Sequence, residues 1–147
     1  MIAAAGIAPI LYAEDEEDDV LLMRFAFKRT GIICPLCVVM DGKAVLERLL
    51  GRHDVAGHTI DPLPRLLLLD LNLPQVNGFE VLQRLRKEAA FVDFPVIILS
   101  SSQQPSDQAR ARALGADEFV VKPSNMDGWV NFAQSLRQHW LSRECVT

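Results

Sequence analysis

The chain has 147 residues, of which 50% are hydrophobic and 23% are charged, a composition typical of one globular domain rather than a disordered chain. Fifteen basic residues against nineteen acidic ones give a net charge of −4, which argues against binding to nucleic acid or to an anionic membrane surface. No apolar run approaches the roughly 18 residues of a membrane span, and the apolar N-terminus lacks the positive charge of a signal peptide.

Short apolar runs alternate with longer segments of helical period along the chain. The predicted strands are residues 7–13, 33–39, 66–69, 96–99 and 119–121. The predicted helices run from the acidic segment 14–19 to about 29, from the capping Asp41 to 50, from 77–78 to about 89, over about 105–114, and from about 125 to 142. Residues 51–64 are predicted to form a polar loop.

Five strands that alternate with helices predict a parallel sheet with helices on both faces. The natural arrangement for five such units is the α/β, flavodoxin-like (βα)5 doubly wound sheet with strand order 2-1-3-4-5. Residues 1–147 are therefore predicted to form one domain with a core of about 7–142. About five residues follow the last predicted helix, so we expect no output domain.

The three cysteines, Cys34, Cys37 and Cys145, cannot all pair within the chain, which favours a reducing compartment and a cytoplasmic location. Cys34 and Cys37 form a C-x-x-C pattern, but the segment around them has the character of a strand. Because residues i and i+3 of a strand face opposite ways, these thiols are not expected to meet. We predict that they act as small buried hydrophobic residues.

Polar side chains follow the strands that flank the predicted switch point of the sheet. Glu14 and Asp15 follow the first strand, Asp70 follows the third, Ser100 the fourth and Lys122 the fifth. Three carboxylates in one crevice repel each other unless a cation neutralises them, and an acidic oxygen site suits Mg²⁺. A lysine and a hydroxyl across the crevice suit the oxygens of a phosphoryl group.

The remaining acidic residues, at positions 16–19, have a simpler interpretation. Acidic side chains in the first turn of a helix complement its macrodipole, so we predict that Glu16, Glu17, Asp18 and Asp19 serve only as helix-start charges.

Four segments carry a family resemblance: ILYAED at 10–15, LDLNLP at 69–74 with Gly78 after it, PVIILS at 95–100, and GADEFVVKP at 115–123. They resemble the receiver domains of two-component response regulators, and the resemblance extends over about residues 10–140. Within that family, residues 77–82 and the tail 124–141 resemble small stand-alone regulators that partner bacteriophytochrome-type histidine kinases.

The resemblance implies a Mg²⁺-dependent phosphoacceptor that takes phosphate from the phosphohistidine of a sensor histidine kinase. Asp70 would be the nucleophile. Asp15 would bind Mg²⁺ directly, Glu14 directly or through water, and Asn72 through its backbone carbonyl. Lys122 would pair with the phosphoryl group.

The resemblance also implies a switch. Ser100, where the family more often has threonine, would move toward the phosphoryl group, with Ser101 beside it. Phe119 fills the aromatic switch position without a hydroxyl, so it would act through packing alone. The family's bond between Lys122 and Pro123 is usually cis.

Other proteins of this architecture fit the sequence less well. A flavodoxin needs a phosphate-binding loop where this chain has six acidic residues, and a haloacid-dehalogenase-type phosphatase needs an aspartate where Asn72 stands. No P-loop motif occurs. The remaining alternative is a pseudo-receiver, a phosphorylation-independent binding module. We expect a signalling protein rather than an enzyme, acting by contact with a downstream protein.

The last helix suggests a homodimer. An apolar stripe of Met126, Trp129, Ala133 and Leu136 is predicted to face the core. Phe132 lies off that stripe, and Trp140 lies in a final turn that overhangs the sheet, so both are predicted to form a contact surface. In the alternative interpretation Phe132 covers a neighbouring helix and Trp140 packs on the N-terminal segment.

Overall fold

The computed structural model describes residues 7–51 and 62–147, so most of the loop predicted at 51–64 lies outside the described residues. The strands are β1 (Ile10–Ala13), β2 (Leu36–Val39), β3 (Leu66–Leu69), β4 (Val96–Ser100) and β5 (Glu118–Val121). The α-helices are α1 (Glu17–Thr30), α2 (Gly42–Leu50), α3 (Gly78–Arg86), α4 (Pro105–Ala113) and α5 (Met126–Trp140). Two short 3₁₀ helices, Ala89–Phe91 and Arg143–Cys145, complete the regular structure of the described residues.

The five strands form one parallel sheet in the order β2-β1-β3-β4-β5. The predicted flavodoxin-like fold is therefore confirmed. β3 is the central strand, and its four leucines are fully buried. Leu67 and Leu69 pack with α2 and α3 on one face, whereas Leu66 and Leu68 pack with α1 and α5 on the other. Burial on both faces explains why this strand is apolar without alternation.

Side-chain caps fix the start of three helices. Asp41 accepts a hydrogen bond from the backbone N–H of Ala44 at 2.7 Å, as the sequence predicts. Asn77 and Asn125 cap α3 and α5 in the same way. Each such cap contributes about 1 kcal/mol to helix stability. None of the helices in the described part of the chain is long and apolar enough to cross a membrane.

The segment before β2 differs from the prediction, because the strand begins at Leu36 rather than at residue 33. Ile32 instead pairs antiparallel with Val146, and the N–H of Ile33 donates to the carbonyl of Cys145. The segment before β2 thus pairs with the C-terminal residues rather than with the sheet. The start of β1 also moves, to Ile10, where the backbone first bonds to the carbonyl of Pro35.

Cys34 is buried as predicted, whereas Cys37 is only partly buried, and the structure adds one contact. Cys34 packs in the core between the sheet and α1, and Cys37 packs against the opposite core, so the two thiols lie on different faces. All three cysteines are free. The addition is that Cys34 lies beside Cys145, and burial together with that thiol raises the pKa of Cys34 to about 12.

The prediction that Phe132 lies on an exposed contact surface is wrong, since only 8% of this residue is exposed. The reason is that α5 lies beside α1, and Phe132 joins the core that contains Met23 and Phe27 of α1. The alternative, in which Phe132 covers a neighbouring helix, is the one observed. The predicted core stripe is confirmed, because Trp129, Ala133 and Leu136 are buried and Met126 is partly buried against the same core.

Candidate functional site

The ends of the parallel strands bring the predicted polar residues to one edge of the sheet. Ala13 and Leu69 are paired in register, so the residues that follow them, Glu14 and Asp70, leave adjacent strands side by side. The backbone N–H of Asp70 still donates to the carbonyl of Ala13, and that of Lys122 donates to the carbonyl of Ser100. The backbone hydrogen bonds of the sheet therefore fix the positions from which these side chains extend.

Three carboxylates converge at this edge. One oxygen from each of Glu14, Asp15 and Asp70 lies within 4.8 Å of the other two. Glu14 is fully buried and Asp70 is 4% exposed, whereas Asp15 borders an open cleft. A compact set of carboxylate oxygens next to water fits Mg²⁺, which keeps several waters and needs few protein ligands. Asn72 lines the same cleft.

Lys122 supplies the positive charge among these acids. Its Nζ lies 2.8 Å from Oε1 of Glu14, 2.9 Å from Oδ2 of Asp19 and 3.1 Å from Oδ2 of Asp70. Burial by itself lowers the pKa of Lys122, but the hydrogen bonds with Glu14 and Asp19 outweigh it and raise the pKa above its ordinary value. Lys122 is therefore a fixed cation at neutral pH.

The interpretation of Asp19 as only a helix-start charge is wrong, because its carboxylate reaches Lys122 from the first turn of α1. Glu17 and Asp18 in the same turn are exposed, as predicted. The signal that could have found Asp19 is its place in the first turn of α1, which begins just after the acidic pair Glu14 and Asp15 and so starts at the same edge of the sheet.

Glu14 is a fully buried acid with a raised pKa. Desolvation raises its pKa from 4.5 to about 7, opposed by the hydrogen bond from Lys122 and reinforced by the charge of Asp70. The hydroxyl of Tyr12 donates to Oε1 of Glu14 at 3.4 Å, and the backbone N–H of Glu16 donates to Oε2 at 3.2 Å. Burial and the Glu14 charge also raise the pKa of Tyr12. The contacts with Tyr12, Glu16 and Lys122 thus fix the Glu14 carboxylate in place.

Asp70 is held by the loop that follows β3. Its Oδ1 accepts the backbone N–H of Asn72 at 3.2 Å, while Oδ2 contacts Lys122. Gly78 passes directly under this loop, and a Cβ there would lie 2.4 Å from the carbonyl oxygen of Asp70. The glycine therefore permits a close approach of two backbone segments behind the carboxylate.

The predicted switch residues form two groups: two line the cleft, and two are buried or partly buried. Ser101 and Pro123 line the cleft. Ser100 is fully buried, and its Oγ accepts the backbone N–H of Ser102 at 3.1 Å. Phe119 is partly buried and packs against the core on the α3 side of the sheet. All peptide bonds of the described residues are trans, so the cis bond expected before Pro123 is not found.

Trp140 lies at the end of α5, away from the acidic cleft. Its ring is partly buried against the α1–α5 core, and its Nε1–H donates to Glu118 of β5 at 3.0 Å. The helix and the last strand of the sheet are thus linked at this corner.

The fold and this edge define a class: a doubly wound domain with an aspartate after the central strand, an acidic pair beside it and a lysine opposite. The chain belongs to the response regulator receiver domain family, and the sequence model of that family matches residues 10–134. Response regulator Rcp1 of Synechocystis sp. (strain ATCC 27184 / PCC 6803 / Kazusa) is 30% identical over 138 residues, which cover 94% of this chain and 90% of Rcp1.

Solved structures agree with that assignment. The Mn²⁺-bound form of Rcp1 gives a TM-score of 0.79 at 27% identity and covers 95% of this chain and 99% of that one. Response regulator RPA3017 in red light signaling of R. palustris has a TM-score of 0.83 at 32% identity and covers 92% of this chain and 95% of that one. The phosphorylated cyanobacterial phytochrome response regulator RcpA has a TM-score of 0.81 at 26% identity, and it also covers 92% of this chain and 95% of its own. The chain is thus homologous to phosphoacceptor response regulators, and nothing in these likenesses favours the pseudo-receiver alternative.

Proposed function

We propose that Asp70 accepts a phosphoryl group from the phosphohistidine of a sensor histidine kinase, in a reaction that requires Mg²⁺. The observation that supports this most is the position of the Asp70 carboxylate, at the end of the central strand between Lys122 and the acidic pair. Glu14, Asp15 and Asp70 would hold the metal, with the backbone carbonyl of Asn72 as a further ligand.

In the transfer, a carboxylate oxygen of Asp70 attacks phosphorus, the phosphorus–nitrogen bond breaks, and the electron pair leaves with the histidine of the kinase. Lys122 donates to a phosphoryl oxygen, where its charge offsets the charge on the transferring group. A Mg²⁺ ion held by the carboxylates would supply further positive charge to the transferring group. The Asn72 N–H keeps the Asp70 carboxylate oriented. These residues act by positioning and charge, so the protein is a signalling phosphoacceptor that catalyses only its own modification and dephosphorylation.

The signal then passes to a downstream protein. Ser100, whose Oγ accepts the N–H of Ser102, would turn its hydroxyl to donate to a phosphoryl oxygen, and Phe119 would repack beside it. Ser101 and Pro123, which line the cleft, would move with them. The output face consists of α4, β5 and α5.

The kinase we propose is of the bacteriophytochrome type. Support comes from the similarity to RcpA, described as a phytochrome response regulator, and to RPA3017, described in red light signaling. Three free cysteines favour the cytoplasm as the place where the two proteins meet.

The same face would also form a homodimer. With Phe132 buried, Trp140 is the remaining candidate for the contact, since a partly exposed indole at the end of α5 is typical of interface positions. Analytical ultracentrifugation of the wild type and Trp140→Ser is the test. A wild type that sediments as a monomer, with and without beryllofluoride and Mg²⁺, contradicts this part of the proposal.

Asp70 is tested by incubating the protein with acetyl phosphate and Mg²⁺ and measuring mass. One phosphoryl group should be added to the wild type and to the control Asp93→Asn, an exposed aspartate outside the site. Hydroxylamine should remove it, and EDTA should prevent it. Equal labelling of Asp70→Asn would show that another residue is the acceptor.

A further inference from the structure

The Lys122 ammonium is shared among three carboxylates. Its Nζ lies within 3.1 Å of Glu14, Asp19 and Asp70, and it donates hydrogen bonds to Asp19 and Asp70. Two of these acids follow strands of the sheet, and Asp19 alone comes from a helix. A phosphoryl oxygen on Asp70 would therefore meet a lysine that three acids already hold.

A phosphoryl group on Asp70 thus competes with these acids for Lys122. Glu14 cannot turn to water, because it is fully buried and fixed by Tyr12 and the Glu16 N–H, so it stays beside Lys122 or the proposed metal ion. An unpaired charge in such a position carries a large desolvation cost. Asp70 carries the incoming group itself and stays in place.

Asp19 is the partner that can be released at the lowest cost. Its side chain is 24% exposed, compared with 0% for Glu14 and 5% for Asp70, and it borders the open cleft. Water can solvate its carboxylate once Lys122 turns away. Its position on α1 also separates it from the strand ends, so its release does not disturb the backbone around Asp70.

We propose that Asp19 is a positioning residue that holds Lys122 in the unphosphorylated protein and competes with the phosphoryl group for it. This inference rests on the proposed role of Asp70. Asp19 then sets how strongly the domain engages its phosphoryl group, because that group has to draw Lys122 away from the Asp19 carboxylate. The Asp19 carboxylate also carries a negative charge, which repels the anionic phosphoryl group.

The test is the affinity for beryllofluoride, which mimics a phosphoryl group on an aspartate, measured by calorimetry in excess Mg²⁺. Asp19→Asn keeps the shape of the side chain but weakens its hold on Lys122. We expect it to bind about tenfold more tightly than the wild type, the order of magnitude for one charge-assisted hydrogen bond. Asp18→Asn is the matched control, since it removes the same charge from an exposed neighbour. It should stay within about twofold of the wild type.

Rescue separates competition from a structural role. Asp19→Glu restores the carboxylate, so it should return the affinity to near that of the wild type, while the melting temperature shows that each variant is folded. Should Asp19→Asn prove unstable, Asp19→Ser makes the same comparison. Binding by Asp19→Asn that is equal to Asp18→Asn, or weaker than the wild type, overturns the competition. Absence of binding to the wild type, or undiminished binding to Asp70→Asn, contradicts the role of Asp70 and with it this inference.

Discussion

Replacing Glu14 with glutamine should change how the stability of the metal-free protein depends on pH. In the folded protein the pKa of Glu14 is raised from 4.5 to about 7, chiefly by burial. The folded state therefore binds this proton more tightly than the unfolded state. The stability from that proton is complete below pH 4.5 and is lost as the pH rises through about 7.

The size of the effect follows from the two pKa values. Their difference of about 2.5 corresponds to roughly 3 kcal/mol, at 1.36 kcal/mol for each pKa unit. Glutamine does not titrate, so Glu14→Gln keeps no such dependence. We expect the free energy of unfolding of the variant, minus that of the wild type, to increase by about 3 kcal/mol between pH 4.5 and pH 8.

Urea unfolding in EDTA, at pH values from 4.5 to 8, measures this difference. EDTA is needed because Mg²⁺ and the proton compete for the same carboxylate. Glu17→Gln is the control, since it makes the same change at an exposed position at the start of α1. A difference for Glu14→Gln that varies with pH no more than that for Glu17→Gln would refute the reasoning that desolvation of Glu14 controls the charge of this site.

Three further predictions concern the same edge of the sheet. Lys122→Ala should still accept phosphate from acetyl phosphate but lose the phosphorylation-induced change in tryptophan fluorescence, and a normal change would contradict the proposed role of Lys122. Gly78→Ala should lower the free energy of unfolding in urea by about 2 kcal/mol or more, because its Cβ would lie 2.4 Å from the carbonyl oxygen of Asp70. An unchanged unfolding midpoint would show that the loop after β3 can shift without cost. Asp15→Ala should abolish the rise in melting temperature that Mg²⁺ gives the wild type, and a rise of equal size would exclude Asp15 as a ligand.

Much of the site could be predicted from the sequence because strand ends are local features. The four leucines of β3 indicate a strand buried on both faces, and the residue after such a strand has to be at the sheet edge. The alternation of strands and helices then fixes which edge the ends share. Glu14, Asp70 and Lys122 could therefore be assigned to one crevice without any knowledge of distances.

Other features depend on contacts between segments that are distant in the sequence. Asp19 contacts Lys122 across 103 positions, and Phe132 is buried only because α1 lies beside α5. Likewise, Ile33 of the predicted second strand lies outside β2, and its N–H donates to the carbonyl of Cys145 near the other end of the chain. Hydrophobic period and strand ends report on the surroundings of each segment by itself. Which helix face meets which neighbour is decided by packing of the whole chain, since a helix residue off the apolar stripe can be solvated or covered with the same local pattern.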